Sequence, residues 1–245
     1  MLAATAGGGV AYLHSLSNGT ATVLWILGCV AVALTILVWL PRIAHRRFTD
    51  GDYPRARFWY GILHWLVLNG KARGAVDVSI GAAMLAEGKY HLAREFIENV
   101  QGLGLNEPVR AAWLNNRAYL RVRTGGDARS ALVLCDRALA LRPYVSGFHH
   151  TRGIALLALG RTDEAIGALD EIWSQHPTYG PDTPFEAERC YDLGLAWARK
   201  GERDYALDYF SRVRRTAPES RWAERAAEFD TGQEAARTPN LGNLL

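Results

Sequence analysis

The first 41 residues contain no lysine and no arginine, and residues 21–40 ("ATVLWILGCVAVALTILVWL") contain neither charge nor proline. Cysteine is scarce: Cys29, Cys135 and Cys190 form no CxxC and no zinc-type spacing, so neither a disulfide framework nor a zinc site is expected. Cys135 and Cys190 fall on apolar helix positions and read as packed thiols. His149 and His150 are not an HExxH pair, and neighbours on a helix point about 100° apart, which argues against joint chelation. "NGKARG" lacks the upstream glycine and the Ser/Thr of a phosphate loop. "GGGV" and "GLGLN" are not GxGxxG. No nucleophile–base set stands out. The expectation is therefore a protein that is not an enzyme, with no cofactor, no metal and no small-molecule substrate.

What is present begins with the apolar run itself. Twenty residues at about 1.5 Å rise span roughly 30 Å, one hydrocarbon core. Eleven of them are Val, Leu or Ile, worth together about −3 to −7 kcal/mol on an insertion scale. Trp25 and Trp39 stand near its ends. A basic n-region is missing and "LPRIAHRR" is a poor cleavage site, so an uncleaved anchor fits better than a signal peptide. Basic residues follow the run, at Arg42, Arg46, Arg47, Arg55 and Arg57. Positive charge stays inside, which predicts a single-pass membrane protein with its N-terminus outside and the rest cytoplasmic. Residues 42–73 carry seven Lys/Arg against two Asp, whereas residues 74–245 carry 21 against 23 Asp/Glu. The basic charge thus suits lipid headgroups, and no basic face for nucleic acid is apparent.

The remainder repeats itself. A glycine is followed five residues on by alanine in Gly88/Ala93, Gly126/Ala131, Gly160/Ala165 and Gly201/Ala206. Four residues later come Ile97, Cys135, Leu169 or Phe210, and three further Val100, Ala138, Ile172 or Val213. Pro143, Pro177 and Pro218 close three of the four copies. The alanines are 38, 34 and 41 residues apart, the period of stacked supersecondary units. The i, i+4, i+7 run is one helix face, the glycine permits a reversal, and proline stops the helix. Gly81, Gly153 and Gly194, each seven residues before a turn glycine, predict close helix crossings. One unit is two antiparallel helices whose apolar faces are covered only by stacking.

This pattern resembles the tetratricopeptide repeat (TPR) family. The four copies span about 145 residues, 74–218, and units three and four follow the pattern most closely. "TGGD" in unit two carries an extra residue, and Ala118 or Tyr119 stands in place of its crossing glycine. A fainter copy with Gly51, Ala56, Tyr60 and Leu63 reads as a divergent first unit. The resemblance implies an all-α TPR-type helical-hairpin solenoid after the single N-terminal transmembrane helix. It also implies that the first helix of each unit lines a concave groove for a partner peptide or amphipathic helix. By register, that groove would be lined by Val78, Ala82 and Leu85, then Asn115, Tyr119 and Val122. His150, Ile154 and Leu157 would follow, then Tyr191, Leu195 and Arg199. These side chains could instead pack between units, or the chain's own tail could fill the groove. A small anchored protein of this layout is similar to bacterial envelope-assembly factors, which implies the bacterial inner membrane.

The organisation expected is a short extracytoplasmic tail at 1–20, a transmembrane helix at 21–40 and a basic, aromatic juxtamembrane segment at 41–70. Four units at 71–218, a capping helix at 219–229 and a polar tail at 230–245 complete it. "YGPDTP" (179–184) reads as a loop between units three and four. "NGT" at 18–20 fits a glycosylation acceptor but abuts the apolar run. "RARFWYGILHWLVL" (55–68) is too short to span. It is either a buried solenoid helix or a helix in the membrane interface, with Trp59, Tyr60 and Trp65 at headgroup level beside Arg42, Arg46 and Arg47. Two functions follow: a membrane-anchored protein–protein interaction adaptor, or a structural subunit of a larger membrane complex held through the transmembrane and 55–68 segments.

Overall fold

The structure is a computed structural model that describes the backbone of residues 3–102, 104–175 and 184–230; side chains are described from residue 19 onward, except at 37, 103, 171–184 and 230. Of the loop expected at 179–184 and the tail expected at 230–245, residues 179–183 and 231–245 lie outside the described residues, while Pro184 opens one helix and Asp230 ends another. Every described regular element is helical. Helix α1 (Ala3–Leu34) leads through a π turn (Thr35–Trp39) into α2 (Leu40–Thr49). The stretch at 3–20 is thus helical where an exposed tail was expected. The π turn has a cause in the sequence. Pro41 has no N–H for residue 37, and its ring crowds that carbonyl, so the helix widens by a residue just before it.

Five antiparallel hairpins follow. They are α2 with α3 (Tyr53–Leu66), α4 (Gly70–Ala86) with α5 (Tyr90–Glu98), α6 (Glu107–Arg123) with α7 (Ala128–Leu141), α8 (Ser146–Ala158) with α9 (Thr162–Gln175), and α10 (Pro184–Lys200) with α11 (Arg203–Thr216). Helix α12 (Arg221–Asp230) packs on the last pair. Short polar side chains start several helices: Asp52, Asn69, Asn106 and Asp127 accept from backbone amides of the first turn, groups that otherwise lack partners.

Each reversal uses a glycine at positive φ, at Gly51, Gly88, Gly125, Gly160 and Gly201. The residue after each of the five donates back to a carbonyl five residues earlier, as Lys89 N does to Met84 O at 2.8 Å and Arg161 N to Leu156 O at 3.0 Å. This closes the helix end. In the second unit the turn glycine is Gly125 and not Gly126 as the spacing suggested. Gly126 is the extra residue, and the alanine that follows still arrives fully buried at Ala131.

The crossings inside the units explain the small residues. A Cβ on Gly81 would sit 2.6 Å from Ile97, on Gly153 2.6 Å from Leu169, and on Gly194 2.5 Å from Phe210. In the second unit Ala118 occupies the glycine position and Cys135 the large-residue position, both with no exposure. A larger residue on one side is matched by a smaller one on the other. Burial pushes the Cys135 thiol up to about 12, and that of Cys190 likewise to about 12, which keeps both protonated. His149 donates to the carbonyl of Pro143 at 2.7 Å.

The two ends of the chain differ in cover. Along α1 and the π turn, Leu24, Trp25, Ile26, Leu27, Val32 and Trp39 are all exposed. Among the described residues no helix is by itself long and apolar enough to cross a membrane. Helix α3 buries Ala56, Tyr60 and Leu63 against its neighbours. Arg57 pairs with Glu87 at 2.9 Å and His64 with Asp77 at 2.6 Å, tying it to α4. Its other side exposes Phe58, Trp65 and Leu66. Trp59 is half-buried, so Trp59, Tyr60 and Trp65 do not share one face.

Candidate functional site

The first helices of successive units, α2, α4, α6, α8 and α10, contribute side chains to one cavity of about 210 Å³. Its walls are largely apolar and aromatic: Phe48, Tyr60, Val78, Leu85, Tyr119 and Phe148. Polar groups gather where α6, α8 and α10 converge: Asn115, Asn116, His150, Thr151 and Glu188. Asn116 Nδ2 donates to Val78 O at 3.2 Å and ties α6 to α4. The side-chain oxygen of Asn115 is buried and has no hydrogen-bond partner among the described residues.

Beneath this polar end lies a buried charge cluster. Tyr119 and Arg123 are four apart on α6, and Glu188 and Asp192 four apart on α10, so each pair occupies one helix face. The two faces meet. Arg123 donates to both oxygens of Asp192, at 3.0 and 2.6 Å, and to Glu188 Oε1 at 2.7 Å. Tyr119 OH donates to the same Glu188 oxygen. His150 Nε2 donates to Asp192 Oδ2 at 2.9 Å. The Arg123 guanidinium also lies over Tyr119 and Trp222, 5.2 and 4.8 Å from their ring centres. The Arg123 and Asp192 side chains have no exposure.

The electrostatics follow from burial and pairing. Burial works against the charge on Arg123, but Asp192, Tyr119 and Glu188 together hold its pKa well above the ordinary arginine value. Burial likewise opposes the Asp192 carboxylate, and Arg123 with the His150 hydrogen bond outweighs it, leaving its pKa depressed. Burial, then the neighbouring Glu188 charge, raises the Tyr119 phenol well above its usual range. His150, Glu188 and Asp192 place ligand-type atoms within 4.8 Å of one another. Arg123 already takes both oxygens of Asp192 and one of Glu188, so an ion bridging all three residues would have to displace the guanidinium. The cluster is built as an ion-pair network.

The residues expected in the groove separate into two groups. Asn115, Tyr119 and His150 line the cavity, and Val78, Ala82 and Leu85 stand with them. Ile154, Tyr191 and Leu195 are buried between helices, at 0, 1 and 4% exposure. Tyr191 packs against Phe210 and against Trp222 of α12, with ring centres 5.8 and 5.3 Å apart. Arg199 is half-buried, donates to the carbonyl of Leu157, and has its pKa lowered by burial. Val122 and Leu157 are core residues. Arg123, Glu188 and Asp192 were not anticipated. A trace of them exists in the sequence. Two residues before each crossing Gly or Ala stands a polar side chain: Ser79, Asn116, Thr151 and Asp192. The first three line the cavity, and the fourth anchors the cluster.

Residues 151–179 match the tetratricopeptide repeat family model. The fold is a tetratricopeptide-type helical solenoid. It is similar to that of TTC0263, a TPR protein of Thermus thermophilus, at 18% identity over 77% of this chain and 96% of that one, with a TM-score of 0.50. YrrB, described as a TPR protein with an unusual peptide-binding site, aligns at 18% identity over 78% of this chain and 91% of its own, with a TM-score of 0.43. The MamA protein aligns at 19% identity over 76% and 93%, with a TM-score of 0.42. No curated protein matches the chain.

Proposed function

We propose that this protein is a membrane-anchored adaptor that binds a partner peptide or amphipathic helix in the groove formed by the first helices of its solenoid. The observation that carries the reading is the cavity shared by α2, α4, α6, α8 and α10, apolar along its walls and polar at one end. Such a lining suits a partner that buries apolar side chains and is oriented by a few hydrogen bonds. No nucleophile–base arrangement accompanies it among the described residues, so binding and not catalysis is the activity proposed.

Anchoring rests on the apolar run at 21–40. Together α1 and the π turn expose a long series of large apolar side chains that nothing in the solenoid covers. Hydrocarbon is the natural solvent for such a surface. The side chains of Arg46, Arg47 and Arg55 are well exposed just beyond it, which favours a cytoplasmic solenoid and an external N-terminus. Alkaline carbonate should leave the protein in the membrane pellet, and protease added from outside should spare the repeats; extraction by carbonate would overturn the anchor.

A second reading is favoured by the exposed Phe58, Trp65, Leu66 and Leu68, which would suit a structural subunit docked beside the membrane. A photocrosslinker at Ala82, in the cavity, should give adducts in intact membranes that are lost when Ala112→Trp fills the groove. A crosslinker at Val133, exposed on α7, should give none. Adducts from Trp65 alone would replace the adaptor reading with the second one.

A further inference from the structure

The cavity has a charge preference that its shape does not reveal. One guanidinium, Arg123, faces two carboxylates, Glu188 and Asp192. Asp192 is fully engaged: both oxygens take Arg123, and one also takes His150. Glu188 is not. Its contacts with Tyr119 and Arg123 both go to Oε1. Its Oε2 has no partner among the described residues, and Glu188 lines the cavity. The second unpaired group there is the buried side-chain oxygen of Asn115, an acceptor. The cavity thus offers hydrogen-bond acceptors, one of them a carboxylate with its side chain only 7% exposed. Buried charge and buried acceptors are costly unless a donor meets them.

Around these acceptors stand Tyr60, Tyr119, Phe148 and Phe185, whose ring faces attract cations. Cavities of about 150 Å³ already admit a benzene-sized ligand, so one of about 210 Å³ has room for a long side chain. We propose that this cavity is a receptor for a cationic side chain, an arginine or lysine of the partner peptide, received by Glu188 and Asn115 between aromatic walls. The proposal rests on the peptide-groove reading above and adds the chemistry of the residue that anchors the guest. An apolar stem along Val78 and Leu85 with a charged tip at Glu188 matches the way these long side chains divide into apolar and polar parts.

The test is selection of a random dodecapeptide library on the full chain held in lipid nanodiscs. Bound peptides should share one arginine or lysine flanked by apolar residues. Replacing that residue by glutamine in a synthesised winner should raise Kd at least about tenfold, a readout that requires no protein variant. Glu188→Gln keeps the size and the acceptor for Tyr119 and Arg123, and should cause a similar loss for the basic peptide and little for its glutamine version. Peptides that bind and are blocked by Ala112→Trp, but show no basic preference, would overturn the cation receptor and leave the groove standing. Failure to select any peptide blocked by Ala112→Trp would overturn both.

Discussion

The crossings within each hairpin and the floor where α6, α8 and α10 meet are both buried, yet they are built on opposite principles. The crossings are apolar and repeated: Gly81 under Ile97, Gly153 under Leu169, Gly194 under Phe210. The floor is charged and occurs once. A crossing works by shape, so a change on one side can be met by a change on the other, as Ala118 and Cys135 show. The floor works by mutual neutralisation, so removing Arg123 strands two carboxylates at once. Repeated features stack the solenoid. The single charged cluster gives it a direction, and it is there that the cavity becomes polar.

The largest expected effect comes from breaking the cluster. Arg123→Met leaves Glu188 and Asp192 buried without the guanidinium that they share, and loss of one partner of a buried ion pair costs about 3–5 kcal/mol. Urea unfolding of the full chain in micelles should show a drop of that order. Acid sharpens the same point. Asp192 stays ionised in the fold at pH values where an unfolded aspartate, titrating near 3.9, already takes up protons. The unfolded chain then binds more protons, and stability falls as pH drops below about 4 toward the depressed value. The melting temperature should therefore fall more steeply between pH 5 and 3 in the wild type than in Asp192→Asn. Equal slopes would mean that Asp192 is not the group being titrated.

The crossings should respond less, and reciprocally. Gly153→Ala drives a methyl group against Leu169 and should cost about 1–3 kcal/mol by overpacking. Leu169→Val alone removes a buried methylene, at a cost of about 1 kcal/mol. Combined, the two should cost less than their sum, because the smaller partner makes room for the methyl group. A double-mutant cycle on urea unfolding measures this coupling. Strict additivity would mean that Gly153 and Leu169 do not limit each other's size. Gly201→Ala, at φ +89° with open space around it, isolates backbone strain from packing and should cost about 1–2 kcal/mol.

The same contrast explains what could be read from the chain before its structure. The crossings were legible because each recurs at a fixed offset from a turn glycine, and a helix converts offset into direction. Gly81, Gly153 and Gly194 emerged from spacing alone. Asn115, Tyr119 and His150 were placed on the groove side by the same register. That register failed to separate Tyr191 from them, because Tyr191 is covered by Trp222 of α12, and an end cap repeats nothing. Spacing points to Gly126 where the turn uses Gly125, because the extra residue sits inside the turn, where counting from either end gives a different answer. The π turn was missed because Pro41 lies just outside the apolar run that it distorts. Arg123 and Asp192 lie 69 residues apart, and no periodicity links a residue at the end of one first helix to one in the middle of another. The polar position shared by Ser79, Asn116, Thr151 and Asp192 was visible, but it sits one residue beyond the position taken as groove-facing.

The smallest expected effect bears most directly on the cavity. Tyr119 joins the floor to the open groove above it: its ring lines the groove, and its hydroxyl donates to Glu188. Tyr119→Phe removes only the hydroxyl. Arg123 still holds the same Glu188 oxygen, so that acceptor is not stranded, and the loss should be about 0.5–1.5 kcal/mol, the range of one hydrogen bond. The loss should shrink to about half when Glu188→Gln is already present, because a bond to a neutral acceptor is about half as strong as one to a carboxylate. A loss as large as that of Arg123→Met would mean that the phenol holds Glu188 in place and Arg123 does not. A loss of zero in both backgrounds would mean that water reaching Glu188 through the cavity replaces the phenol. The floor of the groove would then be wet, and the boundary between the neutralised cluster and the open site would lie above Tyr119.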